Sequence, residues 1–415
     1  MVQECRNFQG SRSLPDRMTR HEQISHTAWR TELAPGFPQE LDQLAGKNSS
    51  GDTFLRAAWY RATAGAQACT SLLRHNGVAV AAIPTCQVGP ALAGARKVPG
   101  SYWPHRGVAL SAGLDPRQLV PLFKGRGARA LGSAWRLGPV RGDDPSAALL
   151  GQAAKLAGWT VLVRPAGSVW VIDLAAAAQA GWPRASTAKR LRRYSRNLAA
   201  LGKVSWRHVR GADWNERVLE QLGQIEAESW IARETDGGDA KFLHPQQRRQ
   251  WLQALADPIL AEMLCATILI LDDRPIAFCF DLDNGPRRYG IAGSYVESYS
   301  DYHVGTMVNY RVMADAIAAG QAFLDLGAGD SGYKREMGAA NAYELHDLLF
   351  VRNPLIAKAF SRVWGTELSE QGPRARSGSA HHANRASVWS PLVRVAGAFG
   401  ISAALTNTVI AVLNG

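Results

Sequence analysis

The sequence predicts an α/β fold built from two similar units, each a mixed, largely antiparallel sheet flanked by helices, and three observations carry that expectation. Segments of helical periodicity alternate with short apolar runs along most of the chain. Asn76-Gly77, Asp272-Asp273 and Asn284-Gly285 supply tight-turn signals between neighbouring apolar runs, the mark of antiparallel hairpins. Helix followed by hairpin occurs near residue 53, and the theme returns more clearly beyond residue 181, which suggests a tandem duplication.

Residues 1–35 are polar and irregular and are read as a mobile tail. The first unit is placed at 36–180. In it, TFLRAAWYRATAG has Asp52 or Thr53 in position to cap a helix, with Leu55, Ala58 and Trp59 on its apolar face. ACTSLLRHNGVAVAAIP makes two strands around Asn76-Gly77. After a loop over 97–107, further strands are expected near 134–140 and 159–174.

The second unit is placed at 181–365. ASTAKRLRRYSRNLAALG reads as a helix stopped by Gly202, with Leu191, Tyr194, Leu198 and Leu201 on one side and Lys189, Arg192, Arg193 and Arg196 on another. NERVLEQLGQIEAESWIAR is a second helix, and QQRRQWLQALADP a third, across the loop ETDGGDAKFLHPQ. CATILILDDRPIAFCFDLDNGPRRYGIAGSYV supplies a three-strand meander. A loop, a helix ending at Gly320, the strand FLDL and a last strand ELHDLLFVRN complete the unit. Residues 366–389 read as a linker, and 390–415 as an apolar helix whose uncharged run, 395–413, has the length of a bilayer span but too many polar residues for a good one. Docking on the protein and reversible contact with a membrane surface both fit it.

With 46% apolar residues, the 415-residue chain has room for two domains with sizeable cores. A formal charge of +12 favours acidic partners such as phosphates, anionic polysaccharide, RNA or a membrane face. Five scattered cysteines without CxxC spacing argue against a disulfide frame or zinc site and suit a reducing cytoplasm. The N-terminus has no apolar run of the kind a signal peptide needs. Ten histidines lack HxxxH or HxH spacing, so no metal is expected.

The chemistry concentrates in FLDLGAGDSGYKREMG, residues 323–338. A strand runs into glycines that remove side chains where a ligand or backbone must come close, and around them stand Asp325, Asp330, Tyr333 and Lys334. Either aspartate suits a base or amine orienter, Tyr333 an acid, and Lys334 a holder of phosphate or carboxylate. Turn capping by the aspartates, a core role for Tyr333 and a solvated Lys334 are the competing readings. GDSG within this stretch also surrounds the nucleophile of trypsin-like proteases, but a helix-led strand and a Tyr-Lys pair exclude that all-β context.

The order Tyr295, Val304-Gly305-Thr306, Gly320, Asp325 and Gly329-Asp330-Ser331-Gly332-Tyr333-Lys334 resembles the second half of GNAT-like acyltransferases of the cellulose-biosynthesis (CelD/BcsL) type, relatives of FemAB/FemX. Val304 stands where that family usually has proline, and SDYHVGT departs from the usual GNAT pyrophosphate loop. The resemblance implies tandem GNAT-like domains and acetyl-CoA or another acyl-CoA as donor, bound through His303, Gly305 and Thr306 at a helix N-terminus. It implies transfer to an amine or hydroxyl of an anionic sugar or envelope precursor, with Arg190, Arg193, Glu228 and Trp230 facing that acceptor. DNA is not an implied partner. Aminoacyl-tRNA as donor, as in FemX relatives, and a non-catalytic assembly subunit are the alternatives.

Overall fold

A computed structural model describes residues 29–100, 104–234, 240–329 and 332–368; the apolar C-terminal segment and most of the N-terminal tail lie outside them. The strands are β1 (Arg30–Pro35), β2 (Cys69–His75), β3 (Val78–Val88), β4 (Ala95–Lys97), β5 (Ala109–Leu110), β6 (Ala134–Arg141), β7 (Thr160–Asp173), β8 (Val204–Arg210), β9 (Leu264–Leu271), β10 (Arg274–Asn284), β11 (Arg287–Tyr295), β12 (Phe323–Ala328), β13 (Ala340–Val351) and β14 (Thr366–Glu367). They form one mixed sheet in the order β1-β2-β3-β4-β6-β13-β7-β12-β11-β10-β9-β8, with β5 on β3 and β14 on β7. Only β4–β6 and β11–β12 pair in parallel among the described residues.

Two of the turns form as their residues dictate. Asn76 and Gly77 take φ of 51° and 80°, and Asp272 and Asp273 take 46° and 64°, the left-handed pairs that fit a two-residue hairpin to the strand twist. The strand order, in contrast, interleaves the two halves. β7 pairs with β12, and β13 lies between β6 and β7. From Leu345 to Val351 every residue of β13 is buried, as a central strand covered on both faces requires. Asp347 in that run is held by Arg136 at 2.8 Å and Arg164 at 2.9 Å, which compensates its burial. A shared core joins the halves, with Phe54 and Trp59 in one cluster with Phe278 and Phe280.

Several local expectations change. Residues 30–35, within the stretch read as a tail, are an edge strand paired to β2, and 366–367, read as linker, pair with β7. The first-unit helix is Ala57–Ala62, led by Arg56. Thr53 instead binds Asn284 Oδ1 through its amide (3.1 Å) and hydroxyl (2.7 Å), a tertiary contact that outcompetes capping. The helix expected across 215–233 breaks into Glu216–Ala227 and Trp230–Glu234. At the break the Ser229 hydroxyl donates to Glu226 O (2.7 Å) and accepts from Ile231 N (3.2 Å). Leu201 falls beyond the Ala185–Ala199 helix and is exposed.

Candidate active site

The site begins where two parallel strands part. β11 and β12 pair only at Arg287–Phe323, Arg288–Leu324 and Tyr289–Asp325. Beyond that point β12 turns away and is held to β7 through Ala328 and Val169. Among the described residues the edge of β11 from Gly290 to Tyr295 is thereby left without a strand partner on that side, and a cavity of about 680 Å³ opens along it. Its walls bring together Gly290, Tyr295, His303, Gly305, Thr306, Trp230, Tyr333 and Lys334.

The far end of the cavity is a helix N-terminus. His303, in the left-handed region at φ 56°, leads into the Val304–Ala318 helix and makes no side-chain cap. The first-turn amides carry the positive end of the helix dipole, a general anion site. Gly305 has a steric reason as well: a Cβ there would lie 2.8 Å from the Tyr295 ring. The basic Ala185–Ala199 helix adjoins this end, since the Tyr194 ring lies 4.1 Å from that of His303 and Arg193 stands over Tyr194 at 5.6 Å. Arg190 and Arg193 are exposed and do not line the cavity.

The polar turn is divided by the fold. Tyr333 and Lys334 open the short Tyr333–Glu336 helix and line the cavity. Lys334 is buried, its ammonium donating to the carbonyls of Gly327 (3.0 Å), Ala328 (2.9 Å) and Gly329 (2.8 Å). It clasps the end of β12 and is not a solvated side chain. Asp325 points away, because strand alternation that sends Leu324 and Leu326 into the cavity sends it to the other face. There it is fully buried, accepts from the Tyr343 hydroxyl and from Gly327 N (3.0 Å), and faces Arg287 at 3.5 Å. Burial pushes the Asp325 carboxyl up, against the hydrogen bond from Tyr343. Asp330 lies outside the described residues. Trp230 stands at the cavity edge, exposed, whereas Glu228 is engaged outside it by Arg274 at 2.5 Å.

One carboxylate on the cavity wall is absent from the sequence-derived set. Asp281, on β10 opposite Gly290, is buried, and its Oδ2 has no hydrogen-bond partner among the described residues. Desolvation pushes its pKa up to about 7. A signal existed: FCFDLDN places two acids inside an otherwise apolar strand. Asp283, the other, takes both neighbouring cations: Arg288 at 2.6 and 2.9 Å, and Arg210. Its carboxyl is consequently lowered. Among the described residues no cluster of His, Cys, Asp and Glu could hold a metal ion.

Residues 185–335 match an acetyltransferase (GNAT) domain. The chain thus carries a GNAT-like domain, and every cavity wall residue named above falls inside it. FemX is similar in structure at 13% identity and a TM-score of 0.51, over 79% of this chain and 99% of that one. At that identity the likeness shows a shared fold. The C-terminal domain of a putative lysylphosphatidylglycerol synthetase from Agrobacterium fabrum aligns at 13% identity and a TM-score of 0.49, over 77% of this chain and 92% of that one. A search of curated proteins finds no match.

Proposed function

We infer that the protein is an acyltransferase that takes an acyl group from acetyl-CoA or another acyl-CoA and delivers it to an amine or hydroxyl. The observation that carries this reading is the continuity of the cavity. An anion site at the Val304–Ala318 helix leads along the free edge of β11 to the point where β11 and β12 meet. From Tyr295 to Gly290 that edge spans about 17 Å at ~3.3 Å per residue, long enough to hold an extended pantetheine arm by its amides. The pyrophosphate would rest on the first-turn amides with Thr306 and His303 beside it, and the thioester would lie near Gly290.

Tyr333, on the same wall, is assigned as the acid that returns a proton to the departing thiolate. Lys334 keeps the β12 carbonyl ends fixed and so shapes the wall. The acceptor enters past Trp230, whose exposed indole offers a face to a sugar ring. An anionic envelope or exopolysaccharide precursor, as in the cellulose-biosynthesis type, suits the net charge and the exposed basic face beside His303. A cytoplasmic enzyme working beside the inner membrane would meet both substrates.

The exposed cations Lys189, Arg190, Arg192, Arg193 and Arg196 beside His303 favour a second donor, aminoacyl-tRNA. Thermal unfolding separates the two. Acetyl-CoA at 100 times its Kd should stabilise the protein by about 2.7 kcal/mol. A shift on tRNA that fades steeply with salt, with none on acetyl-CoA, would replace the CoA reading.

A further inference from the structure

Asp281 and Gly290 occupy facing positions in the β10–β11 register, and both line the cavity. The β10–β11 ladder shifts between Phe280 and Asp281, where Ile291 is an extra residue on β11, and this bulge sets Gly290 opposite Asp281. Gly290 then leaves the space before the carboxylate empty. A Cβ on Gly290 would lie 3.7 Å from Asp281 Oδ1 and 3.4 Å from Asp325 O. So Asp281, the one carboxylate on the cavity wall among the described residues, borders the place where the free edge of β11 begins.

We propose that Asp281 is the catalytic proton acceptor, taking a proton from the acceptor amine or hydroxyl as it attacks the thioester. This rests on the acyl-CoA reading above. For an amine, the nitrogen forms a bond to the acyl carbon and one N–H proton passes to the Asp281 carboxylate. The carbon–sulfur bond breaks, and the coenzyme A thiolate leaves and takes a proton from Tyr333. Solvent then restores the Tyr333 proton and removes the one on Asp281, so that amine and thioester yield amide and thiol.

The surroundings suit a base working near neutrality. The titratable and charged groups around Asp281 are Asp283 on its own strand, Arg288 on β11, Arg210 and Cys265 on β8 and β9, and Cys279. Both arginines are committed to Asp283, which leaves Asp281 without a direct ion pair among the described residues. Cys265 is pushed up to about 12 and Cys279 also upward, both by burial, so both stay neutral. On the helix side, Asn309 accepts from Cys279 Sγ at 3.2 Å, and the Lys334 ammonium is turned to backbone carbonyls. Two neighbouring carboxylates are thus pushed apart, Asp283 fixed as an anion and Asp281 titrating near 7.

The test uses the full chain and follows thiol release from acetyl-CoA, with water and with a panel of simple amines as acceptors, between pH 5 and 9. Asp281→Asn should keep the acetyl-CoA melting shift and lose about 100-fold or more in rate, the usual range for a general base. The wild-type rate should rise with pH through about 7 as the carboxylate forms. Gly290→Ala, whose added methyl makes only ordinary contacts, should also slow release by covering the carboxylate. An Asp281→Asn rate within twofold of wild type, a wild-type rate flat from pH 6 to 8, or a wild type that binds acetyl-CoA without releasing thiol would each overturn the role of Asp281. Absence of any acetyl-CoA melting shift in the wild type would instead remove the acyl-CoA reading, and this proposal with it.

Discussion

Gly305 rests on the ring of Tyr295 so closely that a Cβ would fall 2.8 Å from the ring edge. The contact seats the Val304–Ala318 helix at the end of β11 and aims its first amides along the cavity. Gly305→Val should therefore both destabilise the fold, by about 1–3 kcal/mol as overpacking usually does, and abolish the acetyl-CoA melting shift. Tyr295→Ala in the same chain makes room for the new side chain. Recovery of stability without recovery of the shift would show that the amides, not only the packing, need an open helix entrance.

Among the described residues, Lys334 makes three hydrogen bonds to backbone carbonyls from a buried position. Lys334→Ala should cost about 2 kcal/mol or more, because the carbonyls lose a charged donor. Urea unfolding measures this directly. A loss under about 0.5 kcal/mol would mean that the ammonium is a solvated charge and that the clasp does not hold the β12 end.

Asp281 links stability to pH. Its folded-state pKa, about 7, lies above the ordinary aspartate value, so the folded state holds the proton more tightly than the unfolded state does. That contribution is present in full below the ordinary carboxylate range and is lost progressively as pH rises to about 7. Asp281→Asn removes the dependence. The variant should exceed wild type in stability at pH 8 by on the order of a few kcal/mol and match it near pH 4. Equal pH profiles for the two proteins would contradict the raised pKa.

The end of the described chain is part of the fold. β14 pairs with β7, Leu368 N bonds to Val161 O at 2.9 Å, and Lys155 binds Leu368 O. A chain ending at residue 368 should melt close to the full protein and keep its donor shift, whereas one ending at 364 should melt several degrees lower. Comparing both with the full chain in membrane fractionation tests whether 395–413 provides membrane affinity. No helix among the described residues is long and apolar enough to cross a membrane.

Local signals decided a large share of this molecule. The turns at Asn76-Gly77 and Asp272-Asp273, the meander of β9 to β11, the Ala185–Ala199 and Val304–Ala318 helices and the glycine-rich end of β12 depend on φ preference and hydrophobic periodicity, which act between neighbours in the chain. The helix entrance at Gly305 and the Tyr-Lys pair were legible for the same reason. Only the tertiary structure decided that β13 crosses to lie between β6 and β7, since strand pairing is chosen by burial over long separations that no short window records. It also decided the roles of the acids. Asp325 lies inside the conspicuous polar turn, yet pleat alternation turns it toward Tyr343 and Arg287. Asp281 lies in a meander strand that carried no chemical signal of its own choice of face, yet a shift in the β10–β11 ladder sets a glycine opposite it on the cavity wall. One residue of register is enough to move a side chain from one face of a sheet to the other, and register is a property of the partner strand as much as of the strand itself.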